Sequence, residues 1–172
     1  VRHEVDVLVA GGGPSGGAAA LTAARQGLSV HIIDGHTCLG GMGTAGMVPA
    51  FMQFSDGINF MAGGIGKEIL GELQSRGGTM PPHGHGIRVE VLKRVYDDLV
   101  TNAGIGLTFH TQLVDVVGDE GAVREVICAG KSGLFAIRAK VFIDGTGDGD
   151  LAVYAGAPYE KGDENGAMMP GT

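Results

Sequence analysis

A glycine-rich turn between two apolar segments is the feature that most constrains the fold. In the stretch "DVLVAGGGPSGGAAALTAARQGLSVHIID" (residues 6–34), five glycines fall within residues 11–17. Residues 5–10 are apolar and partly β-branched, which predicts a buried strand. Residues 14–26 are rich in Ala and Leu and end at Gly27, which predicts a helix, and residues 28–34 predict a second buried strand. The stretch therefore predicts a βαβ unit.

The spacing of the glycines matches G-x-G-x-x-G at Gly11, Gly13 and Gly16. We expect Gly11 to allow the sharp turn, Gly13 to leave room for a bound pyrophosphate, and Gly16 to let the helix pack closely on the strands. The first helical turn contains Pro14 and Ser15, and its free N–H groups would face the phosphates. The turn thus predicts a dinucleotide site.

An acidic residue, Asp34, ends the second predicted strand and is followed by Gly35. A carboxylate at this point can accept hydrogen bonds from both ribose hydroxyls of an adenosine, and it repels a 2′-phosphate. The pattern therefore favours NAD or FAD over NADP.

Beyond the βαβ unit the sequence changes character. Residues 35–66 form an apolar, glycine- and methionine-rich segment without a regular period, which suits contact with a flat apolar ligand. Helices are predicted at residues 66–76 and 89–103, a β-meander at about residues 112–139, and a further buried strand at residues 141–144 before the turn "GTGDGD".

Charge and composition exclude several classes of partner. The net charge is −7 and the basic residues are scattered, so neither nucleic acid nor an anionic membrane is expected as a partner. No apolar run approaches the length of a bilayer span. Cys38 and Cys128 lack the spacing of a metal site, and as free thiols they fit a reducing cytoplasm.

Four stretches carry a resemblance to a known family: "VLVAGGGPSGGAAAL", "LGGMGTAG", "VLKRVYDDLVTNAGI" and "AKVFIDGTGDGDLAVYAGAPYEKGDE". On these motifs the chain resembles the FAD-dependent oxidoreductases of the glutathione reductase-like superfamily, which have two dinucleotide-binding folds. The resemblance implies an α/β, Rossmann-like FAD-binding domain with a parallel sheet, flanking helices and a β-meander insertion. FAD is then the expected cofactor.

The resemblance also implies further contacts with the cofactor. The strand that begins the meander contacts the adenine through the backbone of Leu113, with Gln112 and Val114 beside it. The remaining expected contacts belong to two glycine turns along the pyrophosphate, and they are Gly40, Gly41, Thr44, Gly145, Thr146, Gly147 and Asp148.

The reaction implied by the resemblance is hydride or electron transfer between a small organic substrate and FAD. Members of this family are usually longer, so residues 1–172 are expected to be the FAD-binding domain at the N-terminal end of a longer oxidoreductase, with a missing C-terminal part or a homo-oligomer completing the site. Two alternatives stay open: an NAD-binding dehydrogenase domain and a non-catalytic dinucleotide-binding fragment. The sequence identifies no catalytic residue, and the pair His83 and His85 lacks the further ligand that a metal site needs.

Overall fold

Strands and helices alternate in the first part of the chain, and an antiparallel meander follows. The computed structural model describes residues 1–81, 85–119 and 121–168, so the predicted histidine pair falls partly outside, because His83 is not described. The strands are β1 (His3–Ala10), β2 (Val30–Ile33), β3 (Thr79–Met80), β4 (Gly86–Ile87), β5 (Gly106–Thr108), β6 (Gln112–Asp119), β7 (Ala122–Gly130) and β8 (Gly133–Asp144). The helices are α1 (Pro14–Arg25), α2 (Ile65–Ser75), α3 (Val89–Asn102) and α4 (Asp150–Tyr154), with a 3₁₀ turn at Gly41–Gly43.

Six of these strands form one sheet in the order β5-β2-β1-β8-β7-β6. The first four are parallel, and β8, β7 and β6 are joined as an antiparallel meander. This confirms the predicted α/β class, with its parallel sheet, flanking helices and meander insertion.

The central strand β1 is apolar throughout its second half because both of its faces are covered. On one face Val7 and Val9 pack with α1, α2 and α3. On the other face Leu8 and Ala10 pack with residues of the meander and of α4, namely Val126, Cys128, Ile137 and Leu151. The carboxyl end of β1 is thereby fixed between two cores.

The strongest sequence patterns gave elements close to their predicted bounds. Helix α1 begins at Pro14 as expected, and α3 buries the predicted stripe through Leu92, Val95, Tyr96 and Val100. Helix α2 begins one residue earlier than predicted, at Ile65. None of the helices in the described ranges has the length and hydrophobicity that a bilayer span requires.

The meander differs from its prediction at its last strand. Two strands were expected, one ending near residue 139 and another at residues 141–144, but β8 runs without interruption from Gly133 to Asp144. Its first half, Gly133 to Arg138, pairs with β7, and the part from Ile137 to Asp144 pairs with β1. No turn residue separates the two segments, so the strand passes directly from the meander into the parallel sheet.

Candidate functional site

A cleft of about 210 Å³ lies at the carboxyl ends of β1 and β2. In open α/β sheets, ligands bind in the crevice outside the carboxyl ends of the parallel strands. The structure brings six of the predicted contact residues together in its lining, namely Gly11, Asp34, Gly35, Leu113, Thr146 and Asp148. These residues come from four separate parts of the sequence. The other predicted residues lie in the glycine turns around the cleft.

Gly11 and Gly16 are required by the packing of the backbone. Gly11 has φ +94°, and a β-carbon there would overlap the carbonyl of Gly145. A β-carbon on Gly16 would overlap the carbonyl of Gly11. Gly11 therefore lets the turn after β8 pack closely on the first glycine turn. Gly16 lets α1 pack closely on the end of β1, as the sequence predicted.

Gly13 differs from its neighbours because nothing crowds it. Its backbone is extended, with φ −67°, and a β-carbon there would meet only the Cα of Gly41, at 3.9 Å. The fold itself thus places no demand for glycine at this position. Open space above Gly13 is what a bound phosphate group needs.

The N-terminus of α1 adjoins this open space. Pro14 occupies the first helical position, and the helix is started by the Gly17 N–H, which donates to the Gly13 carbonyl at 2.8 Å. Among the described residues, no acceptor is bound by the N–H groups of Ser15 and Gly16. These donors and the positive end of the helix dipole are able to bind an anion.

Asp34 is 7% exposed and both of its carboxylate oxygens hold backbone donors. Oδ2 accepts from the Gly12 N–H at 2.7 Å, and Oδ1 accepts from the His36 N–H at 2.7 Å. Oδ2 keeps a further lone pair for a ligand hydroxyl, whereas Nδ1 of His36 also lies within hydrogen-bond distance of Oδ1. The carboxylate is therefore oriented by the glycine turn while it lines the cleft.

Two side chains beside Asp34 form a wall of the cleft. The Nδ1 atom of His36 lies 3.1 Å from Oδ1 of Asp34. The amide of Gln112 lies against Gly35, where a β-carbon would overlap it. A larger residue at position 35 would therefore displace the side chain of Gln112.

The turn containing Gly40 and Gly41 contacts the first glycine turn directly. The Gly40 N–H donates to the Gly12 carbonyl at 2.8 Å, and a β-carbon on Gly41 would lie 2.9 Å from the Cα of Gly13. Thr44 was predicted as a cofactor contact, but its side chain is fully buried and its hydroxyl donates to the Leu39 carbonyl at 2.6 Å. In this structure the Thr44 hydroxyl thus stabilises the turn that contains Gly40 and Gly41 through its hydrogen bond to Leu39.

The turn after β8 closes the other side of the cleft. Gly145 packs on the first glycine turn, since a β-carbon there would lie 2.8 Å from the Gly11 carbonyl oxygen. Nothing lies near the β-position of Gly147, and Asp148 lines the cleft. Thr146 and Asp150 also line it, and Asp150 was not among the predicted residues.

Tyr96 supports the site although the sequence indicated only a core position on α3. Its ring is 1% exposed and lies between two backbone segments. A β-carbon on Gly17 would be 3.1 Å from one edge of the ring, and one on Gly40 would be 3.0 Å from the other edge. Burial raises the pKa of its hydroxyl to about 12. No pattern in the sequence distinguishes this tyrosine from other apolar positions on the helix.

The apolar segment predicted to suit a flat ligand is strongly exposed. Met52 and Ile58 are 88% and 90% exposed, and Met42, Met47 and Met61 are exposed as well. In the parts of the chain that the structure describes, no three metal-binding side chains converge. This segment provides exposed apolar surface.

The cleft is suited to an adenosine diphosphate group. A buried carboxylate can accept from a ribose diol, and free N–H groups at α1 can bind phosphate oxygens. No Lys or Arg occurs among the described residues that line the cleft, so backbone donors must supply the attraction to phosphate. The space that Gly13 leaves open fits such a group.

Comparison with known proteins gives the family and the fold. The sequence matches the family described as FAD dependent oxidoreductase over residues 6–171. Among curated proteins, none matches it significantly.

Solved structures with the same fold include a geranylgeranyl bacteriochlorophyll reductase-like protein from Thermoplasma acidophilum, with 21% identity and a TM-score of 0.63 over 90% of this chain and 42% of that chain. THI4 from Thermovibrio ammonificans has 22% identity and a TM-score of 0.61, over 90% of this chain and 64% of that chain. A flavoprotein/dehydrogenase from Cytophaga hutchinsonii has 16% identity and a TM-score of 0.66, over 94% of this chain and 44% of that chain. The chain thus spans less than two thirds of each of these proteins.

Proposed function

Because the chain belongs to the family of FAD-dependent oxidoreductases, we propose that its cleft holds the adenosine part of FAD and that the protein transfers hydride or electrons between a small organic substrate and the flavin. FAD is the cofactor of the family, and when bound it supplies the redox chemistry. The protein's own part in that reaction is to bind and orient it. The observation that carries the proposal is the buried carboxylate of Asp34 beside the open position of Gly13.

In the proposed arrangement Asp34 accepts hydrogen bonds from the ribose hydroxyls. The free N–H groups of Ser15 and Gly16 bind the pyrophosphate, which passes over Gly13. The backbone of Leu113 contacts the adenine, a role supported by its position in the cleft lining beside Gln112. Backbone of the remaining predicted residues, Gly40, Gly41, Gly145, Gly147 and Asp148, borders the same path.

Membership of the glutathione reductase-like superfamily is the finer part of the proposal. The combination of a parallel sheet with an antiparallel meander that continues into β8 supports it. We also propose that this chain is the FAD-binding part of a longer oxidoreductase, since it spans 42% and 44% of two structures that share its fold. The substrate site and the catalytic acid or base would then involve residues outside the described cleft, or a second copy of the chain.

The test is a titration of the purified chain with FAD, followed by flavin fluorescence and visible absorption. The proposal predicts saturable binding that changes the flavin spectrum, with excess NAD failing to displace the bound FAD. Tight binding of NAD without binding of FAD would instead favour a dehydrogenase domain. Absence of binding to either dinucleotide would overturn the proposed role of the cleft.

A further inference from the structure

The turn after β8 is held by a carboxylate that does not itself line the cleft. Asp144 is the last residue of β8, and its Oδ1 atom accepts from the Thr146 N–H at 3.0 Å and from the Thr146 hydroxyl at 2.7 Å. Its Oδ2 atom accepts from the Ala152 N–H, in helix α4, at 2.9 Å. One side chain therefore connects the end of the sheet, the glycine turn and the helix that follows.

Thr146 extends this network toward the cleft. Its hydroxyl oxygen accepts from the Asp150 N–H at 3.0 Å while its proton is donated to Asp144. Thr146 and Asp150 both line the cleft. The residues on this side of the cleft are thus fixed by hydrogen bonds that end on Asp144.

The network has little freedom to rearrange. Gly145 is packed against the Gly11 carbonyl and the Cα of Gly16, so the start of the turn cannot move toward the first glycine turn. Burial alone would raise the pKa of Asp144, but its hydrogen bonds to Ala152 and Thr146 outweigh that effect and lower it below the ordinary value. The carboxylate is therefore ionised at neutral pH, when it accepts all three hydrogen bonds.

We propose that Asp144 is a positioning residue of the cofactor site, which sets the place of Thr146 and Asp150 at the cleft and thereby the affinity for FAD. This inference rests on the proposed function, in which FAD occupies the cleft. It adds a residue that touches neither the cleft nor the expected path of the cofactor.

The test compares Asp144→Ala and Asp144→Asn with a control elsewhere in the sheet. The control is Asp6→Ala, because Asp6 also accepts three hydrogen bonds, from the N–H and hydroxyl of Ser29 and from Lys140, but lies outside the cleft lining. Both FAD affinity and the midpoint of urea unfolding are measured for each variant. The two measurements distinguish displacement of Thr146 and Asp150 at the cleft, which lowers FAD affinity, from a general loss of stability.

We expect Asp144→Ala to weaken FAD binding at least about tenfold, since it removes hydrogen bonds to a charged acceptor. Asp144→Asn keeps an acceptor for only one side of the network, so we expect a smaller loss of about threefold. Asp6→Ala should lower the unfolding midpoint and leave the affinity for FAD unchanged.

Failure of the wild-type chain to bind FAD would overturn the proposed function. Wild-type affinity in Asp144→Ala would overturn the positioning role while leaving the proposed function intact, and so would an equal loss of affinity in Asp6→Ala. If Asp144→Ala does not fold, Asp144→Asn decides, and wild-type affinity in that variant would overturn the inference.

Discussion

The three motif glycines stand at their positions for two different physical reasons. Gly11 and Gly16 are fixed by the fold, because a β-carbon at either would overlap a backbone carbonyl. Gly13 has ordinary backbone angles and open space, so backbone packing does not require a glycine there. Two of the three glycines are thus explained by the fold, and the third leaves the space that the proposed pyrophosphate site needs.

A stacked histidine pair, of which His31 is buried and His3 is half-buried, lies outside the cleft lining and affects stability rather than binding. His31 is buried in β2, stacks on His3 with ring centroids 4.2 Å apart, and shares a 2.8 Å hydrogen bond with the hydroxyl of Thr108. Burial, reinforced by the nearby His3, lowers the pKa of His31 to about 4 from an ordinary value of 6.5. The folded protein therefore holds the neutral imidazole.

Stability should consequently fall as the pH is lowered from neutrality. The stabilisation linked to His31 is fully present above its unfolded pKa, and it is lost between about pH 6.5 and 4 because the unfolded chain binds a proton that the folded chain does not. Between pH 7.5 and 5 the loss amounts to about 2 kcal/mol in the free energy of unfolding. Urea unfolding at the two pH values measures it.

The variant His31→Gln supplies the control, since glutamine can still bond to Thr108 but does not titrate. Its free energy of unfolding should change by about 2 kcal/mol less than that of the wild type over the same pH range. Identical pH dependence in the two proteins would show that His31 is not the responsible group.

Helix α3 sets the distance between α1 and the turn at Gly40, because the ring of Tyr96 lies between these two segments. Replacing the ring should both open a cavity and loosen the two segments that contact its edges. We expect Tyr96→Ala to lower the free energy of unfolding by about 3–5 kcal/mol and to weaken FAD binding. Tyr96→Phe keeps the ring and should bind FAD normally.

Urea unfolding and FAD titration of the two variants check this prediction. Equal FAD affinity in Tyr96→Ala and Tyr96→Phe, with both folded, would contradict a role for the ring in spacing the two segments.

Elements with a strong local pattern could be predicted from the sequence. The strand, glycine turn and helix around Gly11 follow from apolar runs and glycine positions, and α3 follows from its 3.6-residue stripe. The adjacency of Asp34 to the first glycine turn also followed from the βαβ order. These features depend on contacts within about 30 residues.

Short elements that lack a periodic pattern of their own could not be predicted. Helix α4 has five residues, begins after Gly149 in a left-handed conformation, and relies on Asp144 for a hydrogen bond to Ala152. The two-residue strands β3 and β4 pair with each other, and Gly86 of β4 also forms a bridge with Ala50. The buried hydroxyl of Thr44 donates to the Leu39 carbonyl. No local period records such contacts.

The net negative charge of the protein bears on how the proposed site attracts a phosphate, because backbone N–H groups, and not basic side chains, lie around the cleft. The chain has a net charge of −7, and FAD carries a pyrophosphate, so the two repel each other at long range. Short-range attraction must come from the helix N-terminus and the glycine turns, where dipoles act at close distance. The glycines that permit this approach are therefore central to the proposed function.

The most direct test of the role of Gly13 compares Gly13→Val with Gly16→Val by circular dichroism, urea unfolding and FAD titration. Gly13→Val should fold with a midpoint near that of the wild type, because its side chain enters open space, and should fail to bind FAD at concentrations that saturate the wild type. Gly16→Val should lose stability itself, because its side chain meets the Gly11 carbonyl. A folded Gly13→Val chain with wild-type affinity for FAD would contradict the proposal that the pyrophosphate passes over Gly13.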